Sequence, residues 1–142
     1  MSGEVFQLGR TAFEEICAHA REARPRECCG LVGALSHPPS MTAYKLANVA
    51  PDPLSSYEAA PQELFAAQRL MRERGEELVA IYHSHPRAAE PAPSERDVRL
   101  AYYPRAVHLI VGFADGEAVV RAFRLFEPER RWEGVEYVVA AE

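Results

Sequence analysis

The chain has 142 residues, of which 48% are hydrophobic, so it is long enough to bury about two-thirds of its unfolded surface in one core. We therefore expect a single domain spanning residues 1–142. Its formal net charge of -5 argues against nucleic acid or an anionic membrane as a partner. The apolar runs are far shorter than the ~20 residues of a membrane span, and the N-terminus has no signal-peptide pattern, so we expect a cytoplasmic protein.

The first third of the chain predicts a strand, a helix and a buried strand. Residues 5–8 alternate as a short strand, and Thr11 is a candidate cap for a helix that should stop before Pro25. Four residues of that helix share one apolar face: Phe13, Ile16, Cys17 and Ala20. From Glu27, the run through residue 35 is apolar on both alternating faces, as in a strand covered on both sides.

The middle of the chain predicts a strand over residues 41–49 and a second helix that opens at Pro61 and ends at Gly75. Residues 77–85 read as a further strand of the sheet. The segment 86–93 contains three prolines, so we expect an irregular loop after this strand.

The last third predicts a third helix beginning near Ser94 and Asp97, followed by strands over residues 107–113, 118–126 and 134–140. Asp115-Gly116 is a strong signal for a hairpin turn between the first two of these strands. Helices interspersed with strands, ending in a hairpin, favour an α/β domain with a mixed sheet flanked by helices.

Two histidines at the end of a predicted strand are the main chemical signal. His83 and His85 are two residues apart, so their side chains project to the same side and can converge on one metal ion. Val79 and Ile81 are expected on that same face as an apolar floor. Asp97, one of three aspartates, is the best available third ligand, because it follows the strand closely enough to fold back over its end.

Two histidines and one carboxylate leave the fourth position of a tetrahedral zinc open, as in catalytic rather than structural sites. A water in that position would ionise near neutral pH and could attack a carbonyl group. Glu27, at the head of an apolar strand, is a candidate for the proton shuttle, since partial burial raises the pKa of a carboxylate towards the range useful for general acid–base catalysis. Ser94 could donate a hydrogen bond to the developing oxyanion.

These residues also carry a family resemblance. Glu27 with Cys29-Gly30-Leu31, then His83-Ser84-His85-Pro86, then Ser94-Glu95-Arg96-Asp97, resembles the signature of the JAMM (MPN+) zinc metalloproteases, especially the short prokaryotic type. One departure is that eight residues separate His85 from Ser94, whereas the usual spacing in the family is seven. The extra residue lies in the proline-rich loop that leads to Ser94. Of the expected roles, the one that this departure affects most is that of Ser94.

The resemblance implies a curved mixed sheet flanked by helices, similar to the fold of cytidine deaminases. It implies one Zn²⁺ per chain, held by His83, His85 and Asp97, with Glu27 as general base and Ser94 stabilising the tetrahedral intermediate. It also implies hydrolysis of the peptide or isopeptide bond that follows the C-terminus of a ubiquitin-like or sulfur-carrier protein.

Other functions remain open from the sequence. A non-catalytic MPN module that scaffolds a complex or binds a ubiquitin-like protein is one alternative, and a zinc hydrolase of small amides or other peptides is another. The sequence argues against deamination, because that chemistry requires H-x-E followed by P-C-x-x-C, and no C-x-x-C is present. Cys28 and Cys29 are adjacent and should point to opposite faces of a strand, so we expect core packing rather than joint zinc binding.

Overall fold

The computed structural model of the protein describes residues 5–36, 40–94, 105–126 and 128–141. Within them, the strands are β1 (Val5–Gly9), β2 (Cys29–Ala34), β3 (Met41–Leu46), β4 (Glu77–Ser84), β5 (Val107–Ala114), β6 (Glu117–Phe126) and β7 (Arg131–Ala140), and the helices are α1 (Arg10–Ala23) and α2 (Pro61–Arg74). The strands form one sheet in the order β1-β7-β6-β5-β4-β2-β3. The predicted third helix, near Ser94 and Asp97, falls largely outside these residues.

The sheet is mixed, as the sequence predicted. The β1–β7 and β4–β5 pairs are parallel, and the other neighbouring strands are antiparallel. The β5–β6 hairpin turns at Asp115 and Gly116, whose φ angles of 52° and 80° are both positive, as a tight primed turn requires. The expected α/β architecture, a mixed sheet flanked by helices, is confirmed.

Helix α1 covers one face of the sheet through the apolar stripe that its sequence predicted. Ala12, Ile16, Cys17 and Ala20 are buried there, among residues such as Leu8, Val32, Tyr82 and Leu109. The predicted cap is wrong: Gly9 is the N-cap residue and the helix begins at Arg10, so Thr11 lies inside the first turn. The parallel pairing of β1 with β7 ends at Gly9, and the chain turns directly into the helix from there.

Helix α2 lies on the opposite face, against β3 and β4. It begins at Pro61 as predicted and buries Ala67 and Met71. Gly75 ends it in the left-handed conformation, with φ of 74°, as its sequence position indicated. Of the described residues, no helical stretch combines the length and apolar character needed to cross a membrane.

A β-bulge in β4 corrects the predicted floor of the site. Val32 pairs with Ala80 but Gly33 pairs with Leu78, so Val79 is an extra residue in β4. Past the bulge the alternation changes phase. Val79 therefore packs on the α1 face, in the cluster that contains Ile16 and Tyr82 (the α1 cluster). Ile81 packs on the α2 face, against the cluster that contains Ala67 and Met71 (the α2 cluster). The prediction that both residues share the face of His83 was right for Ile81 and wrong for Val79.

The antiparallel pairing of β2 with β4 determines where the site forms. Because the two strands run in opposite directions, the residues that precede β2 lie beside the carboxyl end of β4. In this register Cys29 is the partner of His83. Glu27, two residues before Cys29, is thereby brought next to the histidine-bearing end of β4.

Candidate metal and catalytic site

The two histidines of the motif converge as their spacing predicted. His83 is fully buried near the end of β4, and His85 follows the last residue of the strand. Their Nε2 atoms are 3.1 Å apart. The backbone N–H of His85 donates to Val111 O at 2.8 Å, so the pairing of β4 with β5 continues past Ser84 and holds the second histidine in place.

The separation of these nitrogens fits a shared zinc ion. Two nitrogen ligands at zinc distances of about 2.0–2.1 Å and a tetrahedral angle lie roughly 3.3 Å apart. The observed 3.1 Å is close to that value. The predicted third ligand, Asp97, lies outside the described residues. In the part of the chain that the structure describes, no group of three or more His, Cys, Asp or Glu side chains is arranged to hold a metal ion.

Tyr57 packs on the imidazole of His83. The two rings are stacked, with centroids 4.5 Å apart and planes at 23°. The histidine rings themselves meet edge to face, with centroids 4.8 Å apart and planes at 65°. The imidazole of His83 is therefore held between Tyr57 and His85, which restricts its rotation.

Glu27 lies beside this pair but not in a strand. β2 begins at Cys29, so the expectation that Glu27 heads the strand is off by two residues. It is nearly buried, with 8% of its surface exposed. Its backbone N–H donates to Pro53 O at 2.7 Å, and its carbonyl accepts from Asn48 Nδ2 at 2.9 Å. The loop that follows β3 thus anchors the backbone of Glu27 on both sides.

Cys28 and Ser84 join the segment of Glu27 to the histidine motif. The N–H of Cys28 donates to Ser84 Oγ at 2.8 Å, and the N–H of Ser84 donates to Cys28 O at 3.1 Å. Ser84 stands between the two histidines, and Cys28 follows Glu27. These two buried hydrogen bonds fix the position of the glutamate relative to both imidazoles.

Glu27 and His85 open onto a common cleft. Its volume is about 310 Å³, and it is lined by Glu27, Leu54, Ser55, His85, Pro86, Arg87 and Ala88. This is at the small end of the range for ligand-binding clefts, and its mouth is open to solvent. A carboxylate and an imidazole facing one cleft can bind and deprotonate a small polar group such as water.

The proline-rich loop, followed here to Ser94 (residues 86–94), is hydrogen-bonded to the sheet and packs against it. The N–H of Ala88 donates to His85 O at 2.9 Å, and Ala88 O accepts from Phe113 N at 2.8 Å. Pro91 is fully buried, and Ala92 packs on the cluster of Ile110, Phe123 and Leu125. Ser94 is exposed at the end of the loop, where the described residues stop.

Gly112 allows this loop to approach β5. A Cβ at residue 112 would lie 2.1 Å from the backbone oxygen of Ala88 and 2.9 Å from Pro91. We expect Gly112→Ala to lower the free energy of unfolding by about 1–3 kcal/mol, measured by urea denaturation, because the backbone must shift. The matched control is Gly134→Ala, where a Cβ meets nothing within 4 Å. Equal free energies of unfolding for the two variants would show that the proline-rich loop moves to accommodate the added Cβ without loss of stability.

The three cysteines are free and buried, as predicted. Cys28 packs with the α1 cluster and Cys29 with the α2 cluster, so the adjacent pair does point to opposite faces. Burial raises the pKa of the Cys28 thiol to about 11 and that of Cys29 to about 12. Both remain protonated at neutral pH, which suits core residues rather than nucleophiles.

A family model described as prokaryotic homologs of the JAB domain matches residues 10–126. The match spans most of the chain and includes Glu27, both histidines, Ser94 and Asp97. The chain belongs to this family of JAB/MPN domains.

Curated relatives from three organisms align with most of the chain. A desampylase of Haloferax volcanii is 34% identical over 115 residues, covering 78% of this chain and 82% of the relative. A "Probable TtuB-protein conjugate cleaving protease" of Thermus thermophilus is 39% identical over 126 residues, covering 88% and 79%. A CysO-cysteine peptidase of Mycobacterium tuberculosis is 33% identical over 112 residues, covering 78% and 75%.

Solved structures share the fold. A protein of Desulfitobacterium hafniense superposes with a TM-score of 0.81 at 30% identity, covering 97% of this chain and 94% of that one. A JAB1/MPN domain protein of Archaeoglobus fulgidus superposes with a TM-score of 0.56 at 19% identity, covering 96% and 100%. The likeness to the second protein concerns the fold alone, and it agrees with the fold that the motif resemblance implied.

Two residues near the site were missed by the sequence analysis. Tyr57 stacks on His83, and Asn48 hydrogen-bonds to the carbonyl of Glu27. In the sequence both lie near a loop rich in turn formers, where an asparagine or an aromatic residue has no pattern that sets it apart. Their proximity to the site is a property of the folded chain.

Proposed function

We propose that the protein is a zinc-dependent peptidase that hydrolyses the bond after the C-terminus of a ubiquitin-like or sulfur-carrier protein. The observation that carries the proposal is the 3.1 Å approach of two imidazole nitrogens beside a nearly buried glutamate that shares a cleft with one of them. His83 and His85 would hold the ion together with Asp97. When bound, zinc would supply Lewis acidity and make a water nucleophilic near neutral pH.

Glu27 is proposed as the general base and acid. Its carboxylate would take the proton of the attacking water as the water adds to the scissile carbonyl carbon, and would then deliver that proton to the departing amine. The hydrogen bonds at Glu27 N, Glu27 O and Cys28 N fix the backbone that carries this carboxylate, and its side chain lines the same cleft as His85. Ser94 would donate a hydrogen bond to the oxyanion, which agrees with its place in the motif.

The cleft suits the extended tail of a carrier protein. A volume of about 310 Å³ accommodates a few small residues and not a folded domain. Relatives bear the names of a protease that cleaves protein conjugates and of a peptidase for CysO-cysteine. These names support a conjugate of a carrier protein as the class of substrate for this chain.

The test is cleavage of a sulfur-carrier or ubiquitin-like protein extended beyond its terminal Gly-Gly by a short peptide, with zinc-loaded enzyme and mass spectrometry of the products. We expect hydrolysis immediately after the second glycine, and its loss when zinc is removed with a chelator. A matched substrate with the tail Ala-Pro in place of Gly-Gly serves as control.

Two outcomes would overturn this function. Folded protein that retains less than ~0.2 zinc per chain after mild purification would favour a non-catalytic binding module. Cleavage of short peptides or small amides without any cleavage of carrier fusions would favour a small-substrate hydrolase.

A further inference from the structure

The segment between β3 and α2, residues 47–60, contacts the site and contributes Leu54 and Ser55 to the lining of its cleft. We call it the 47–60 loop. Its ends are closed by hydrogen bonds from Ala60 N to Ala47 O at 3.1 Å and from Val49 N to Glu58 O at 2.8 Å. Two of its side chains reach the site residues or their backbone, and neither has a part in the proposed chemistry.

Asn48 uses all of its hydrogen-bonding capacity within this region. Its Nδ2 donates to Glu27 O at 2.9 Å and to Ser56 O at 3.0 Å. Its Oδ1 accepts from Ala50 N and from Glu58 N, both at 3.0 Å. Since two partners are carbonyls and two are N–H groups, the partners themselves determine which way the amide is oriented.

Two of these partners flank Tyr57. Asn48 bonds to the carbonyl of Ser56 and the N–H of Glu58, so the backbone on each side of Tyr57 is tied to the same side chain. The ring of Tyr57 in turn stacks on His83 at 4.5 Å. One amide therefore connects the backbone of Glu27 with the residue that packs against the imidazole of His83.

We infer that Asn48 is a positioning residue. Its side chain fixes the position of the proposed general base, Glu27, relative to the proposed metal ligand His83. It does so through hydrogen bonds to Glu27 O and to the backbone on each side of Tyr57. The inference rests on the proposed function. Asn48 does not reach the reacting atoms. It acts by fixing the backbone that carries the carboxylate and the ring that orients the imidazole.

The expected effect follows from how sensitive such sites are to geometry. Groups behind the metal ligands orient them, and their loss typically costs about 10-fold to 100-fold in metal affinity or activity. A shift of the base by roughly 1 Å costs a similar factor in rate. Substrate binding in the cleft depends on other side chains and should change little.

The test begins with Asn48→Asp, which keeps two acceptor oxygens for Ala50 and Glu58 but removes both N–H donors. We expect zinc affinity, measured by competition with a chromophoric chelator, to fall about 10-fold or more. We also expect kcat to fall by about 10-fold to 100-fold. KM for the carrier fusion should stay within about twofold. A loss of folded protein would also lower the apparent kcat at constant KM, so the fall in zinc affinity of the folded fraction is the readout that separates the two effects.

A second pair of variants tests the same connection at Tyr57. Tyr57→Phe keeps the stacked ring and should keep zinc affinity within about threefold. Tyr57→Leu keeps an apolar side chain but removes the ring, and should lower zinc affinity about 10-fold or more. If Asn48→Asp does not fold, this pair still tests the Tyr57 part of the connection, because wild-type zinc affinity in Tyr57→Leu would contradict it.

The matched control is Glu63→Ala. Glu63 Oε1 accepts a hydrogen bond from Ala47 N at 2.7 Å, so this variant loosens the residue next to Asn48 without touching Glu27 or Tyr57. It should leave zinc affinity and kcat unchanged. Unfolding midpoints of all variants are measured alongside, and the assays are run well below them.

The inference is overturned if folded Asn48→Asp, or Tyr57→Leu, matches the wild type in zinc affinity and kcat. In that case the wild type still binds zinc and hydrolyses the fusion, so the proposed function stands. A wild-type chain that binds no zinc overturns the proposed function itself, and the positioning role with it.

Discussion

Glu27→Gln should lose hydrolysis by roughly 10²-fold to 10⁴-fold while retaining one zinc per chain. Loss of this size is typical when a general acid–base group is removed. Glutamine has almost the same shape, and the hydrogen bonds of Glu27 to Pro53 and Asn48 involve only backbone atoms of residue 27, so the fold should be preserved. Initial rates on the carrier fusion and metal analysis of the same sample measure the two effects.

Glu63→Gln is the matched control for removal of a carboxylate. Its side chain accepts from Ala47 N, and a glutamine oxygen can accept the same bond. This variant should hydrolyse the fusion at the wild-type rate. Retention of a tenth or more of the wild-type rate in Glu27→Gln would show that another group moves the proton.

His85→Ala should lower zinc affinity by at least about 100-fold, more than the loss expected for a group that only supports a ligand. Hydrolysis should fall with it. His85 is only half-buried, whereas His83 is fully buried, so truncation at residue 85 removes a candidate ligand with little disturbance of the core. Chelator competition gives the affinity, and thermal unfolding of the metal-free protein reports whether the core is intact.

The control for His85→Ala is His19→Gln. His19 lies on α1, and its Nδ1 is 2.7 Å from the hydroxyl of Tyr82, on the face of β4 opposite His83. Burial, with the ammonium of Lys45 adding to it, lowers the pKa of His19, so its ring is neutral at pH 7. Zinc affinity should not change in this variant. A zinc affinity that survives His85→Ala but falls in His19→Gln would locate the metal elsewhere.

Features with a local cause were predictable from the sequence. The hairpin at Asp115-Gly116 and the helix end at Gly75 depend on backbone angles that few other residues adopt, and both form where expected. The convergence of His83 and His85 follows from the two-residue repeat of a strand, and the structure brings their nitrogens together. The roles assigned to these histidines, Glu27, Ser94 and Asp97 stay predictions.

Features that depend on packing between distant segments were not predictable. The bulge at Val79 arises from the pairing of β4 with β2, and nothing in the alternation of residues 77–85 signals it. Glu27 precedes its strand because Cys29 is the first residue to pair. The four bonds of Asn48 reach as far as Glu27, 21 residues away, through contacts that only the folded chain creates.

The hydrogen bonds between Cys28 and Ser84 also bear on when the site can assemble during folding. They join residues 56 apart in sequence, with β2, β3, α2 and most of β4 in between, so their closure costs loop entropy that contacts between near neighbours do not. During synthesis, Glu27 leaves the ribosome long before the histidines do. Until β2 has paired with β4, the proposed base and the two histidines are held apart, so the proposed hydrolysis requires this pairing.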